Sequence, residues 1–210
     1  MTPNVVIADD HAMIRKGIKL LLMSRLSLKN VDEAGSCSEV MSKLKHGQCT
    51  HLILDVVFPD GTSLEIVPVI KKLYPGIKIM IFSMQLGEIY SEAFRQYNIH
   101  YYLNKSSNEE ETISYITRFL NDERPLTENK DTSGNNPFSS LSPRELEIMN
   151  YLLNGHKTND IARMLNLGDS TVSTFKKRIF EKTGSSNIPQ LIEMASVHIL
   201  STNDHPDRNE

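Results

Sequence analysis

The stretch Val5-Val6-Ile7-Ala8-Asp9-Asp10-His11 decides the fold, because a continuous apolar run ends abruptly in two carboxylates. Four consecutive apolar residues, not alternating with polar ones, fit a strand buried on both faces of a parallel sheet. Leu52-Ile53-Leu54, followed by Asp55, and Ile79-Met80-Ile81-Phe82, followed by Ser83, read the same way. Val31 to Gly35 is a weaker strand whose Asp32 and Glu33 belong on a sheet edge. Tyr101-Tyr102-Leu103, just ahead of Lys105, is a fifth. Between these runs Met13, Ile14, Ile18, Leu21 and Leu22 fall on one helical stripe, and so do Leu64, Val67, Ile70 and Leu73. Pro68 must then sit in the first turn of its helix to be tolerated. Ile89 to Tyr97 and Ile113 to Leu120 complete the alternation. Strand-then-helix units in this number predict an α/β domain with a five-stranded parallel sheet, flavodoxin-like, in the order 2-1-3-4-5.

The remainder of the chain has a different character. From Glu123 to Ser140 the sequence is polar, rich in turn formers and without apolar period, which predicts a linker over 123–140. Helical patterns follow over Pro143–Leu153, Thr158–Leu165, Asp169–Lys182 and Ile188–Ile199. Ser142-Pro143 makes a good N-cap and first-turn pair, and Gly155 a good stop. The expected organisation is an α/β domain over 1–122, the linker, an all-α four-helix domain over 141–200, and a disordered acidic tail over 201–210.

Bulk composition narrows the classes. With 210 residues, 39% apolar and 23% charged, the chain suits two modest globular domains. The longest apolar stretch, Ile18 to Leu28, is broken by Lys19 and Arg25, so no bilayer span is expected. The opening Met1-Thr2-Pro3-Asn4 lacks a basic n-region, so a cytoplasmic location is expected. Cys37 and Cys49 have neither disulfide-framework nor metal-ligand spacing and read as buried or half-buried free thiols. Residues 139–200 hold seven Lys or Arg against six Asp or Glu, so this domain is close to neutral, with its basic residues bunched at Lys176, Lys177 and Arg178.

Ligands of a doubly wound sheet gather outside the carboxyl ends of its strands. With strands one and three as neighbours, Asp9, Asp10 and Asp55 converge there. Three like charges in one place need a cation or a raised pKa. A hard divalent ion with oxygen ligands, Mg²⁺ first, fits. Ser83 and Lys105 add a hydroxyl and a positive charge at the same edge.

These motifs, Asp9-Asp10-His11, Asp55 with Pro59 four residues on, Ser83 and Lys105, closely resemble the receiver domain of response regulators. The resemblance covers about the first 120 residues. It implies that Asp55 takes a phosphoryl group from a sensor histidine kinase, with Mg²⁺ held by Asp9, Asp10, Asp55 and the Val57 carbonyl. It also implies that Ser83 and Lys105 contact the phosphoryl oxygens and that Tyr102 is an aromatic switch. The sequence departs from the pattern at Ser63, where a glycine is common, and in the bulkier Asn98-Ile99-His100-Tyr101 before the last strand.

In the second domain, Thr158 to Leu165 and Asp169 to Lys182, joined through Asn166-Leu167-Gly168, have the pattern of a helix-turn-helix. The second helix, about 20 Å long by its rise, fits a major groove about 12 Å wide. Val172, Phe175 and Ile179 form its inward stripe. Together with Leu141-Ser142-Pro143-Arg144-Glu145, Asp160-Ile161-Ala162 and Thr171-Val172, the stretch resembles the LuxR-type DNA-binding domain of the NarL/FixJ class. That resemblance implies a homodimeric, non-enzymatic transcription regulator binding double-stranded DNA. It also implies that Ser173, Thr174 and Lys177 face the bases and Lys176 and Arg178 the backbone, with Thr171 and Lys182 flanking. Gly168 stands where a capping serine is usual, so Asp169 or Ser170 is expected to cap, and Thr183 stands where a leucine is customary. Two other classes stay in view: an α/β metal-hydrolase, disfavoured because no Gly-rich phosphate loop follows the first strand, and a protein whose near-neutral C-terminal domain binds a partner regulator.

Overall fold

A computed structural model describes residues 3–84, 87–123 and 136–203. The chain divides into two compact units, one N-terminal and one C-terminal. In the first, β1 (Val5–Ala8), β2 (Val31–Ala34), β3 (His51–Leu54), β4 (Lys78–Ser83) and β5 (Tyr101–Asn104) form one parallel sheet. Its order is β2-β1-β3-β4-β5, as the sequence predicts. Register places Ala8 beside both Ala34 and Leu54, and Leu54 beside Ile81, so the carboxyl ends of the central strands are level.

The apolar runs are continuous because both sheet faces are covered. On one face Val5, Ile7, Ile53, Met80, Phe82 and Leu103 pack with Ile18 and Leu22 of α1 (Ala12–Arg25) and Ile116 and Phe119 of α5 (Glu109–Leu120). Their alternating neighbours Val6, Ala8, Leu52, Leu54, Ile79 and Ile81 are buried on the other face. There α2 (Cys37–His46) lies against β1, β2 and α3 (Ser63–Leu73). α4 (Gly87–Arg95) lies between β4 and β5 in sequence. Cys37 is buried and Cys49 half-buried, both as free thiols.

Pro68 corrects one expectation: it lies inside α3, not in its first turn. The helix starts instead at Thr62, whose N–H donates to the Glu65 carboxylate at 3.1 Å. Val67 and Ile70, both fully buried, hold α3 to the sheet in spite of the backbone hydrogen bond that proline removes.

The second unit contains α6 (Pro143–Leu153), α7 (Thr158–Met164), α8 (Asp169–Thr183) and α9 (Ile188–Asn203), with α6 packed on α7, α8 and α9. Ser142 is the N-cap as expected, and Glu145 completes a capping box with it; Gly155 sits at φ +80° just past the end of α6. Two boundaries differ from the sequence reading. Asn136 to Ser140 is folded rather than linker, with Phe138 buried and its ring 5.8 Å from that of His198. α9 continues to Asn203, three residues into the expected tail. The rest of the linker, 124–135, and of the tail, 204–210, lies outside the described residues.

Candidate functional site

Four strand ends build the first site. Asp9 follows β1, Asp55 follows β3, Ser83 ends β4, and Lys105 follows β5. Backbone bonds continue the ladder past the strands: Asp55 N–H donates to the Ala8 carbonyl at 2.9 Å and Lys105 N–H to the Ser83 carbonyl at 3.0 Å. Lys105 Nζ therefore stands between two carboxylates, 2.5 Å from Asp55 Oδ2 and 2.6 Å from Asp9 Oδ2. The other Asp55 oxygen, Oδ1, accepts from the Ser83 hydroxyl at 2.5 Å and from the Val56 N–H at 2.6 Å. Asp10 lies outside this buried group but near it. One ligand atom each from Asp9, Asp10, His11 and Asp55 falls within 4.8 Å of the others.

The charges do not balance. Burial works against the Lys105 charge, but the Asp55 and Asp9 carboxylates outweigh it and hold its pKa above the ordinary lysine value. The Lys105 ammonium faces two carboxylates directly and a third stands close by, so negative charge is in surplus. That surplus, in a set of hard oxygen donors, fits a divalent cation. Val57, two residues beyond Asp55, opens a two-residue hairpin in which Val57–Phe58 pairs with Gly61–Thr62. Tyr102 is half-buried on β5 beside Ile81, and its ring lies against Gly87, where a Cβ would sit 3.1 Å from Tyr102 Cδ1.

In the second unit the turn Leu165–Gly168 between α7 and α8 includes Asn166 at φ +51°. The N-cap of α8 is Gly168 itself, without a side-chain cap; Asp169 is the first helical residue, so neither Asp169 nor Ser170 caps. Val172 and Ile179 are fully buried as expected, whereas Phe175 is only half-buried, with the Arg178 guanidinium 6.0 Å over its ring. Thr171, Ser173, Thr174, Lys177 and Arg178 are exposed, and Lys176 is half-buried over Phe180. Lys182, 37% exposed, has its Nζ 2.6 Å from the buried Glu145 carboxylate and 3.1 Å from the Ser140 carbonyl. Thr183, in place of leucine, turns its hydroxyl to the Ile179 carbonyl and the Ser185 hydroxyl.

Comparison with known families identifies both domains. Residues 5–117 match the response regulator receiver domain, and residues 139–195 match the bacterial regulatory proteins of the luxR family. The chain belongs to the response regulators of the NarL/FixJ type. This response regulator is 30% identical over 207 residues to the oxygen regulatory protein NreC of Staphylococcus carnosus, covering 91% of this chain and 95% of the relative. It is 27% identical over 207 residues to the response regulator UvrY of Escherichia coli K12, covering 94% and 95%. Among solved structures, RcsB of Salmonella enterica serovar Typhimurium bound to promoter rprA with phosphomimetic BeF3⁻ shares the fold at TM-score 0.69 and 24% identity. That likeness covers 93% of this chain and 99% of RcsB. The response regulator thus combines a receiver domain with a LuxR-type DNA-binding domain. Among the described residues no helix is long and apolar enough to cross a membrane.

Three positions around the receiver site escape a reading of the sequence. His11 Nδ1 lies 2.6 Å from Asp10 Oδ1 and 3.3 Å from Asp9 Oδ1. Arg15 donates from Nη1 to the Asp9 carbonyl at 2.6 Å. Asp60, in the hairpin turn after Val57, accepts from the N–H groups of Cys37 and Ser38 at 2.8 and 2.9 Å. Partial burial opposes the Asp60 charge, but those N–H bonds prevail and hold its carboxyl below the ordinary range. Only His11 carried a signal, its place in the Asp-Asp-His motif; the other two depend on contacts across the fold.

Proposed function

We propose that this response regulator accepts a phosphoryl group on Asp55 from a sensor histidine kinase and thereby controls its dimerisation and promoter binding. The observation that carries this reading is the Asp55 carboxylate, held by Lys105, Ser83 and the Val56 N–H beside the Asp9–Asp10 pair. In the transfer, an Asp55 carboxylate oxygen attacks phosphorus in line. The phosphorus–nitrogen bond to the donor histidine breaks, and its electron pair returns to the imidazole. Such a step asks chiefly for positioning and charge neutralisation. Lys105 meets one phosphoryl oxygen and the Ser83 hydroxyl another. Mg²⁺, held by Asp9, Asp10, Asp55 and the Val57 carbonyl, supplies the remaining neutralisation when bound.

The phosphoryl group adds roughly −1.5 to −2 charge beside Ser83. Tyr102, packed on Gly87 at the start of α4, is the residue through which that change reaches the surface. A swing from 1:99 to 99:1 needs about 5.5 kcal/mol of differential stabilisation. For DNA, Ser173, Thr174 and Lys177 address base edges, and Thr171, Lys176 and Arg178 the flanking backbone. Lys182 steadies α8 through its ion pair with Glu145. Two copies on paired half-sites are required, since one short helix reads too few bases.

The domains are assigned as receiver 1–122, linker 123–140 with its last five residues folded onto the second unit, and DNA-binding domain from 141 to the end of α9. The protein acts in the cytoplasm and has no catalytic turnover of its own. RcsB, which shares this fold, is seen on promoter DNA in the presence of a phosphoryl mimic, and that supports the reading. The near-neutral second domain favours one alternative, binding of a partner regulator with little DNA affinity.

The test is binding of the full chain to a library of random duplexes, with and without a small acyl phosphate and Mg²⁺. The proposal expects tighter, sequence-selective, salt-dependent binding that is lost in Asp55→Asn. No binding in either state contradicts it and favours the partner-binding alternative.

A further inference from the structure

Arg15, on the first turn of α1, reaches back past the start of its own helix, and its Nη1 donates to the Asp9 carbonyl at 2.6 Å. That carbonyl belongs to the peptide plane joining Asp9 to Asp10, and a peptide plane turns as a unit. Fixing it fixes the backbone on which both carboxylates are carried. The sheet holds the other side of Asp9, whose N–H donates to the Ala34 carbonyl at 3.1 Å. The guanidinium is braced in its turn. Its Nε, buried without a hydrogen bond, lies 3.5 Å from Glu33 Oε2, and Lys19 Nζ meets Glu33 Oε1 at 3.1 Å. The pair is largely out of water, with the Arg15 side chain 18% and that of Glu33 28% exposed. Gly35 leaves room for it, since a Cβ there would sit 3.4 Å from Arg15 Nη1. Glu33 on the edge strand β2 is thus the far anchor of a brace that runs through Arg15 to the Asp9–Asp10 peptide.

We propose that Arg15 is a positioning residue for phosphoryl acceptance: braced by Glu33, it holds the Asp9–Asp10 peptide so that both carboxylates stand ready for Mg²⁺. The inference rests on the metal-binding reading above and deepens it. Arg15 acts through the backbone and not as a ligand. Its two possible influences have opposite signs. As a charge, a guanidinium beside a cation site repels the ion, so its loss would tighten binding. As a brace, its loss frees the peptide plane, and the ion must then order both aspartates itself, so binding weakens. The bond to the Asp9 carbonyl is charge-assisted and short, among the stronger kinds, and the brace prevails.

The test titrates the full chain calorimetrically with MgCl₂, as the parent and as Arg15→Met, Arg15→Lys, Glu33→Gln, Lys19→Met and Asp10→Asn. A melt of each variant shows whether it is folded. Arg15→Met should lose about tenfold in magnesium affinity, and Glu33→Gln should lose less in the same direction. Arg15→Lys, which keeps the charge and one donor, should recover part of the loss. With a small acyl phosphate, the magnesium concentration for half-maximal phosphorylation of Arg15→Met should rise to match. Its rate at saturating magnesium should stay within about twofold of the parent's. Lys19→Met, whose lost partner is Glu33 rather than Asp9, should bind magnesium within about twofold of the parent. Arg15→Met that binds magnesium as tightly as the parent, or more tightly, overturns the inference. So does an equal loss in Lys19→Met, which would mean a general loosening of α1 on β2. Should Arg15→Met not fold, Glu33→Gln carries the prediction, and unchanged affinity there overturns it. If Asp10→Asn leaves magnesium binding intact, the reading of the acidic cluster as the metal site fails and the inference falls with it.

Discussion

Replacing Lys105 by Met should destabilise the receiver domain strongly, and divalent metal should restore much of the loss. The side chains of Lys105, Asp55 and Asp9 are 5%, 7% and 2% exposed, so the lysine neutralises two carboxylates that water hardly reaches. Without it, two negative charges with ligand oxygens inside a 4.8 Å group face each other. Coulomb repulsion at that range, with an effective dielectric constant near 20, is about 3 kcal/mol. Removing one partner of a buried ion pair costs roughly 3–5 kcal/mol, which agrees. For a domain of this size each kcal/mol moves the midpoint by about 4 °C, so the receiver transition should fall by about 12–20 °C in chelator. Calorimetry of the full chain, in chelator and then in MgCl₂, measures this. A bound Mg²⁺ takes over the neutralisation, so added magnesium should raise the variant's midpoint more than the parent's. Asp55→Asn is the control: it leaves Lys105 paired with Asp9 and should melt close to the parent. A Lys105→Met midpoint within about 4 °C of the parent in chelator, or one indifferent to magnesium, would refute the argument.

Other predictions follow from individual contacts. His51 is buried with its ring edge-to-face on Phe119 and Nε2 unpartnered; burial first, and Lys78 second, lower its pKa from 6.5 to about 4. Between those values the unfolded chain binds a proton that the folded one refuses, so stability should drop by up to about 3 kcal/mol as pH falls from 6.5 toward 4. A pH series of melts in which His51→Phe has the same acid slope would contradict this. Lys182→Met leaves the buried Glu145 carboxylate without a cation, kept by the Ser142 N–H at 2.7 Å and the Ser142 hydroxyl. Because Lys182 is 37% exposed and partly screened, the expected loss for the second domain is about 1–2 kcal/mol. A loss of DNA binding with no change in melting would instead return Lys182 to the interface. Asp60→Ala removes two N–H bonds at the start of α2, costing about 1 kcal/mol, and loosens the hairpin that carries Val57. Magnesium affinity should weaken several-fold; unaltered affinity would show that the hairpin needs no such tether.

Much of this was legible in the sequence for a physical reason. Strands buried on both faces must be apolar throughout, so Val5–Ala8, Leu52–Leu54 and Ile79–Phe82 stand out, and the polar residue after each marks a strand end at the sheet edge. Strand order then brings Asp9, Asp55, Ser83 and Lys105 together. Weaker elements left weaker traces. α2 buries only Cys37, Val40 and Leu44, a stripe too thin to read. Pro68 looked confined to a first turn because its local cost was weighed without the burial of Val67 and Ile70. Phe138 is one ring in a polar stretch, and nothing local shows that it packs. Lys182 lies one turn beyond the basic run Lys176-Lys177-Arg178, which suggests DNA, while the carboxylate that pairs with it is 37 residues away. Long-range pairing of this kind is absent from local pattern.

The central claim is that Asp55 is the phosphoryl acceptor. The most direct test is to treat the full chain with a small acyl phosphate and Mg²⁺, then map the label by mass spectrometry. The account predicts a single added phosphoryl group on the peptide containing Asp55, absent in Asp55→Asn and absent when Mg²⁺ is chelated. A phosphoryl group on another residue, or one that persists in Asp55→Asn, would contradict it.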